Sequence, residues 1–127
     1  MLRFLLVCLG GALGTAARYG ISTFCRDAFG SGFPYGTLAV NIVGSFLLGV
    51  IMYVGLNSDL ISPTTRVALG TGVIGGFTTY SSFNYETVQF VQSRTYVPAA
   101  AYLAITLVGC FVAGWLGVAT GRWAVSR

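Results

Sequence analysis

Long apolar segments alternate with short polar connections along the chain. Each apolar segment provides the roughly 20 residues that an α-helix needs to cross a bilayer. The four segments span residues 4–24, 33–56, 67–91 and 97–119. The pattern predicts an all-α membrane protein with four transmembrane helices, which together form one domain covering residues 1–127.

The composition supports this interpretation. Hydrophobic residues make up 55% of the chain and charged residues only 8%, whereas soluble domains have roughly 25% charged residues. A helical bundle in water is the alternative, but no segment has a polar face that would cover it. Arg3 precedes an apolar stretch that resembles a signal peptide. Because that stretch continues beyond Arg18, we interpret it as a retained helix.

Short connections predict that neighbouring helices run antiparallel, with both termini on one side of the membrane. Arginines on the side of the termini are Arg3, Arg66, Arg122 and Arg127. Those towards the opposite side are Arg26, Arg94 and, inside the first segment, Arg18. The difference in arginine number between the two sides, which orients membrane proteins, is therefore small. This balance predicts dual topology, in which the chain inserts both ways up.

Eighteen glycines are distributed over the segments, many at small-residue spacings that let helix backbones approach closely. Examples of this spacing are Gly10/Gly14, Gly72/Gly76 and Gly117/Gly121. Four closely packed helices leave no room for an aqueous pore within one chain. We therefore expect close helix contacts between chains, in an assembly.

Several kinds of chemistry are excluded by residue type. The chain has no histidine, and its three cysteines (Cys8, Cys25 and Cys110) lack metal-ligand or disulfide spacing. It has no nucleophile–base pair, no paired acids and no phosphate cradle, so we expect neither an enzyme nor a nucleotide-binding protein. The arginines are scattered singly, which argues against a nucleic-acid partner.

Asn41 lies within the apolar sequence GTLAVNIVGSFLLG. Hydrocarbon offers an amide no hydrogen-bond partner. Asn41 therefore either bonds to another helix or lines a polar cavity.

The third segment contains a glycine-rich stretch, Gly70–Gly76, followed by Thr78 and Thr79. Glycine costs roughly 1 kcal/mol relative to alanine inside a helix. We predict a break here, which frees backbone carbonyls that can hold a cation.

Tyr80 and Phe83 follow the break and are three residues apart, so they share a helix face, while Ser81 lies on another face. Ring edges are positive and suit an anion that has shed water. The alternative is that the rings only fill space.

Tyr102, Thr106 and Cys110 recur every fourth residue on the last segment. They form either a polar track for an ion or, for the threonine, a bond to its own helix backbone. Charged residues within spans are functional candidates by default. Glu86 would pair with an arginine or guard an entrance, and Arg18 would attract anions at a vestibule or extend to the interface.

Three motifs together resemble the Fluc/CrcB family of fluoride channels. They are GGALGTAARY (Gly10–Tyr19), GTLAVNIVGSFLLG (Gly36–Gly49) and GGFTTYSSF (Gly75–Phe83). The resemblance covers all four spans. It implies a bacterial inner-membrane protein that exports fluoride passively, as an antiparallel dual-topology homodimer with two pores.

The resemblance also implies roles for individual residues. Asn41 and Phe83 match pore positions, and Tyr102, Thr106 and Cys110 match the polar track. The hydrogen-bond donors that replace the water around fluoride would come from the side chains of Asn41, Ser81, Tyr102 and Thr106. The carbonyls of Gly75 and Thr78 would hold a structural sodium ion on the dimer axis. Arg18 and Glu86 occupy positions typical of the family.

Tyr80 departs from the family pattern, which has phenylalanine at this position. Its hydroxyl adds a polar group near the ion, and we expect altered, slower fluoride flux. Two rival functions remain. A proton-coupled multidrug-type transporter would need a carboxylate in the first span, and a non-conducting scaffold would not need rows of hydroxyls and aromatic rings.

Overall fold

The computed structural model describes residues 1–127 and contains helices but no strands. In chain order the elements are α1 (Leu2–Phe29), α2 (Tyr35–Asn57), α3 (Pro63–Val67), a π-helical segment (Ala68–Ile74), α4 (Gly75–Phe77), α5 (Tyr80–Gln92) and α6 (Tyr96–Val125). Three of them, α1, α2 and α6, are long and apolar enough to cross a membrane. The predicted all-α membrane fold is confirmed. The fourth predicted span, residues 67–91, is divided among several shorter elements.

Helix ends follow local side-chain chemistry. Ser62 caps α3 by accepting a hydrogen bond from the Thr65 amide, and Pro63 occupies the first turn, where it sacrifices no helical hydrogen bond. Gly30 ends α1 with a φ of 81°, a left-handed conformation that glycine adopts without steric cost. Both α1 and α6 continue beyond the predicted limits of 24 and 119, because their polar last turns remain helical after the apolar pattern has ended.

Helix packing depends on glycines at two contacts. α6 packs along α2 in the most extensive helix pair, and α1 packs on the π-helical segment and α4. A Cβ atom on Gly117 would collide with the Phe46 carbonyl oxygen, and one on Gly14 would collide with the Val73 carbonyl oxygen. The sequence suggested that such close approaches lie between chains. The structure places the contacts of these glycines within one chain, and close contacts between chains stay a prediction.

The outer surface is rich in large apolar side chains. Leu9, Phe111 and Trp115 are each at least 65% exposed, whereas the interior buries Val40 and Tyr102 completely. An apolar exterior suits hydrocarbon or a second membrane protein and would be costly in water. Polar contacts join α2, α5 and α6 on the inner side, and others join α1 to α3 and α4 and join α2 to α3.

Candidate functional site

Asn41 on α2 holds the chain where α4 ends and α5 begins. Thr78 and Thr79 have extended backbones (φ/ψ of −84°/159° and −154°/117°), so they interrupt the helical hydrogen-bond pattern. The Asn41 side-chain amide Nδ2 donates to the Thr79 carbonyl at 2.9 Å, and the Thr79 amide donates to Asn41 Oδ1 at 2.8 Å. Both freed backbone groups of Thr79 are thereby paired inside the protein, as membrane depth requires.

Other carbonyls near this interruption differ in whether they have partners. The Gly76 carbonyl accepts hydrogen bonds from Arg18 Nε at 3.1 Å and from the Thr15 hydroxyl at 3.5 Å. No hydrogen bond within the chain reaches the carbonyl oxygens of Gly75 or Thr78. Unpaired carbonyl oxygens are suitable ligands for a hard cation. The chain has no cluster of three or more acidic, histidine or cysteine side chains with metal-binding spacing.

Two aromatic rings of α5, those of Tyr80 and Phe83, make contact edge to face. Tyr80 and Phe83 have ring centroids 5.7 Å apart with planes at 66°, and Phe83 meets Tyr102 at 5.1 Å and 70°. Phe83 is almost wholly buried, whereas Tyr80 is 73% exposed. Ser81 lies on the exposed side, with its hydroxyl 3.3 Å from that of Thr79.

Glu86 is bound by two hydroxyl groups instead of an arginine. The Thr37 hydroxyl donates to Glu86 Oε1 at 2.7 Å, and the Tyr102 hydroxyl donates to Oε2 at 2.6 Å. The one ion pair in the chain joins Arg26 and Asp27 at 3.9 Å on the surface. Within the chain, therefore, Glu86 does not form the arginine pair that the sequence suggested as one alternative.

Thr106 has the one buried side-chain polar atom without a hydrogen-bond partner. Further along α6, Thr120 bonds to the Leu116 carbonyl at 2.8 Å, which is the helix back-bonding considered for Thr106. Thr106 does not make that bond. A buried unpaired hydroxyl is costly, so it calls for an explanation.

A cavity of about 270 Å³ lies between α2, α5 and α6 beside the interruption. Its wall includes Asn41, Ser45, Thr78, Tyr80, Phe83, Thr106 and Cys110. The structure thus brings together five of the residues singled out from the sequence as an ion path. Two others, Ser81 and Tyr102, do not line it.

A second cavity of about 500 Å³ opens where α1 ends and α2 begins. Glu86 and Thr37 line it together with Arg26 and Gln89. Arg18, which the sequence suggested for a vestibule, instead binds the Gly76 carbonyl, and Arg26 is the arginine at this cavity.

The sequence also contained a signal that we missed. Thr37, Asn41 and Ser45 are spaced every fourth residue on α2, so they form a polar stripe like the one on α6. Thr37 binds Glu86, Asn41 binds Thr79, and Ser45 borders the smaller cavity. The two stripes face the same inner side of the helix bundle.

Fold and site together define a multi-pass helical membrane protein with a cavity between its helices that several polar side chains border. Residues 5–118 match the family described as CrcB-like protein, Camphor Resistance (CrcB), and the chain belongs to this family.

Several bacterial relatives are similar over nearly the whole chain. The protein named "Fluoride-specific ion channel FluC" of Sorangium cellulosum (strain So ce56) is 54% identical over 122 residues, 96% of each chain. A relative of the same name from Anaeromyxobacter sp. (strain K) is 54% identical over 123 residues, 97% of this chain and 98% of its own. The one from Geotalea daltonii (strain DSM 22248 / JCM 15807 / FRC-32) is 44% identical over 113 residues, 89% of this chain and 91% of its own.

Proposed function

We propose that the protein is a passive, fluoride-selective channel that exports cytoplasmic fluoride across the bacterial inner membrane. The observation that carries the proposal is the cavity beside the interruption, where Asn41, Phe83 and Thr106 border one space. Membership of the CrcB family, and relatives named as fluoride-specific channels, support the same function.

Fluoride is strongly hydrated, so a channel must replace its water by other hydrogen-bond donors. The Asn41 side-chain amide carries two hydrogens, of which one donates to Thr79. The second is available to an anion. Thr106 supplies a hydroxyl with no partner in the chain, and the edges of Phe83 and Tyr80 supply weakly positive ring hydrogens. Together these groups offer donors without a fixed positive charge that would trap the ion.

The conducting unit in this proposal is an antiparallel, dual-topology homodimer with two pores. Tyr80 is largely exposed although it borders the cavity, so a second chain would complete the wall on that side. The third membrane span runs from α3 to α5 and is interrupted at Thr78 and Thr79. The unpaired carbonyls of Gly75 and Thr78 would hold one sodium ion where the two chains meet.

The energetics of fluoride export favour a passive pore over a coupled transporter. Hydrogen fluoride crosses membranes uncharged and dissociates at neutral pH, which traps fluoride inside the cell. A negative interior drives the anion out with roughly 2.3 kcal/mol per 100 mV. No proton-exchanging carboxylate is needed, and the one acid of α1, Asp27, lies exposed in its last turn beside Arg26. This placement counts against the multidrug-type transporter.

Fluoride efflux from proteoliposomes, followed with a fluoride electrode, tests the proposal. We expect rapid efflux when valinomycin carries potassium as the counter-ion, no dependence on an imposed proton gradient, and little efflux of chloride under the same conditions. Proton-dependent efflux would favour a coupled transporter. No efflux above that of protein-free liposomes would favour the scaffold.

A further inference from the structure

Cys110 borders the same cavity as the proposed fluoride path. It lies one turn beyond Thr106 on the same face of α6 and is half-buried. The other two cysteines, Cys8 and Cys25, belong to α1 and border neither described cavity. The chain therefore has one thiol in the cavity and two outside it.

We propose that Cys110 is a binding site for a soft, thiol-seeking metal ion, represented by Hg²⁺, and that metal bound there blocks the passage. The blocking part of this inference rests on the proposed channel function. Soft sulfur ligands select soft metal ions over hard ones such as sodium. The buried, unpartnered oxygen of Thr106 belongs to a residue of the same cavity wall, one turn before Cys110, and offers a second, weaker ligand.

Binding is a substitution without oxidation or reduction. The sulfur–hydrogen bond of Cys110 and one mercury–chlorine bond break, a sulfur–mercury bond forms, the proton passes to water and the chloride ion leaves. Dissolved mercuric chloride is a neutral molecule, so it can reach the cavity without conduction of a cation through an anion pore. A competing thiol such as dithiothreitol removes the metal by the reverse exchange.

The metal is expected to block by electrostatics as well as by size. Conduction requires that each site bind the ion weakly enough to release it. When its second chloride has also left, the sulfur-bound mercury carries one positive charge next to Asn41 and Phe83 in the 270 Å³ cavity. Attraction between opposite charges is much stronger at low dielectric than in water. Fluoride that entered would therefore be held instead of passing through.

The test compares mercuric chloride inhibition of fluoride efflux in three proteins, each relative to its own untreated rate. The unchanged chain and the double variant Cys8→Ser/Cys25→Ser retain Cys110. Both should lose efflux at least about tenfold, because a blocked pore does not conduct. Dithiothreitol should restore the rate. Cys110→Ser should retain its own rate, and inhibition that persists in it would overturn the proposal.

Intact-protein mass spectrometry provides a readout that does not depend on transport. The double variant should gain one mercury atom per chain, and its Cys110→Ser derivative, which lacks all cysteines, should gain none. Absence of the adduct from the double variant would refute the site even if no protein conducts. An adduct on Cys110 with undiminished efflux would refute the block. Absence of efflux before mercury is added would count against the channel function instead, so the two failures are distinguishable.

Discussion

Replacing Thr106 by valine should have opposite effects on stability and conduction. Valine has nearly the shape of threonine but lacks the hydroxyl. The Thr106 hydroxyl oxygen is buried and has no partner in the chain, so no existing hydrogen bond is lost. The proposed function assigns this hydroxyl to fluoride. Removing it therefore takes away a donor that only the ion uses.

Both magnitudes follow from this environment. An unsatisfied buried polar group costs about 1–3 kcal/mol, so Thr106→Val should raise the free energy of unfolding by about 1 kcal/mol or more. A hydrogen bond to a charged group is worth about 1.5–3 kcal/mol. If the barrier to conduction rises by that amount, fluoride efflux falls about 10- to 100-fold.

Thr120→Val is the matched control on the same helix. Thr120 is exposed, bonds to the Leu116 carbonyl and lies outside the cavity. We expect efflux within about twofold of the unchanged chain, as for a surface substitution with a small energetic effect. Efflux is measured with the fluoride electrode and stability by tryptophan fluorescence during denaturation in mixed micelles. Undiminished efflux in Thr106→Val, or a loss of stability, would contradict the reasoning.

Three further outcomes are expected. Asn41→Ala removes both hydrogen bonds to the Thr79 backbone and should lower the free energy of unfolding by about 2–4 kcal/mol. Two average hydrogen bonds between membrane helices contribute about 1 kcal/mol. A loss below that value would show that Thr79 finds other partners. Gly117→Ala should destabilise by about 1–3 kcal/mol through overpacking, whereas Gly20→Ala, with no atom near the added carbon, should not. Tyr80→Phe should conduct fluoride faster in the liposome assay, and faster flux with tyrosine would refute our expectation for its hydroxyl.

The spacing of apolar residues was sufficient to predict the three long helices. Hydrophobic periodicity and length depend on local sequence, so residues near α1, α2 and α6 could be assigned directly. Hydrogen-bond partners on other helices could not be assigned this way. The sequence suggested that Glu86 either pairs with an arginine or guards an entrance, but its partners are Thr37 and Tyr102, which are far apart along the chain. Only the packing of α2, α5 and α6 brings these groups together.

Arg18 illustrates the same limit for a charged residue. Its placement within an apolar segment indicated a special role, but two roles were compatible with that position. In the structure it reaches the Gly76 carbonyl, which the end of α4 leaves without a helical partner. This contact requires α1 to lie against α4, and Gly14 permits that approach. The interaction thus depends on the glycine and the arginine together, and neither residue alone was sufficient to predict it.

Asn41 combines the two roles that the sequence offered as alternatives. The sequence left open whether its amide bonds to another helix or lines a cavity, as though one excluded the other. One amide hydrogen and the side-chain oxygen pair with Thr79, while the same side chain borders the cavity. Because the amide has a second hydrogen, the bonds that hold the interruption leave one donor unused on a side chain that borders the cavity. A hydroxyl has one hydrogen and could not donate both to Thr79 and to a group in the cavity. An amide therefore suits this position.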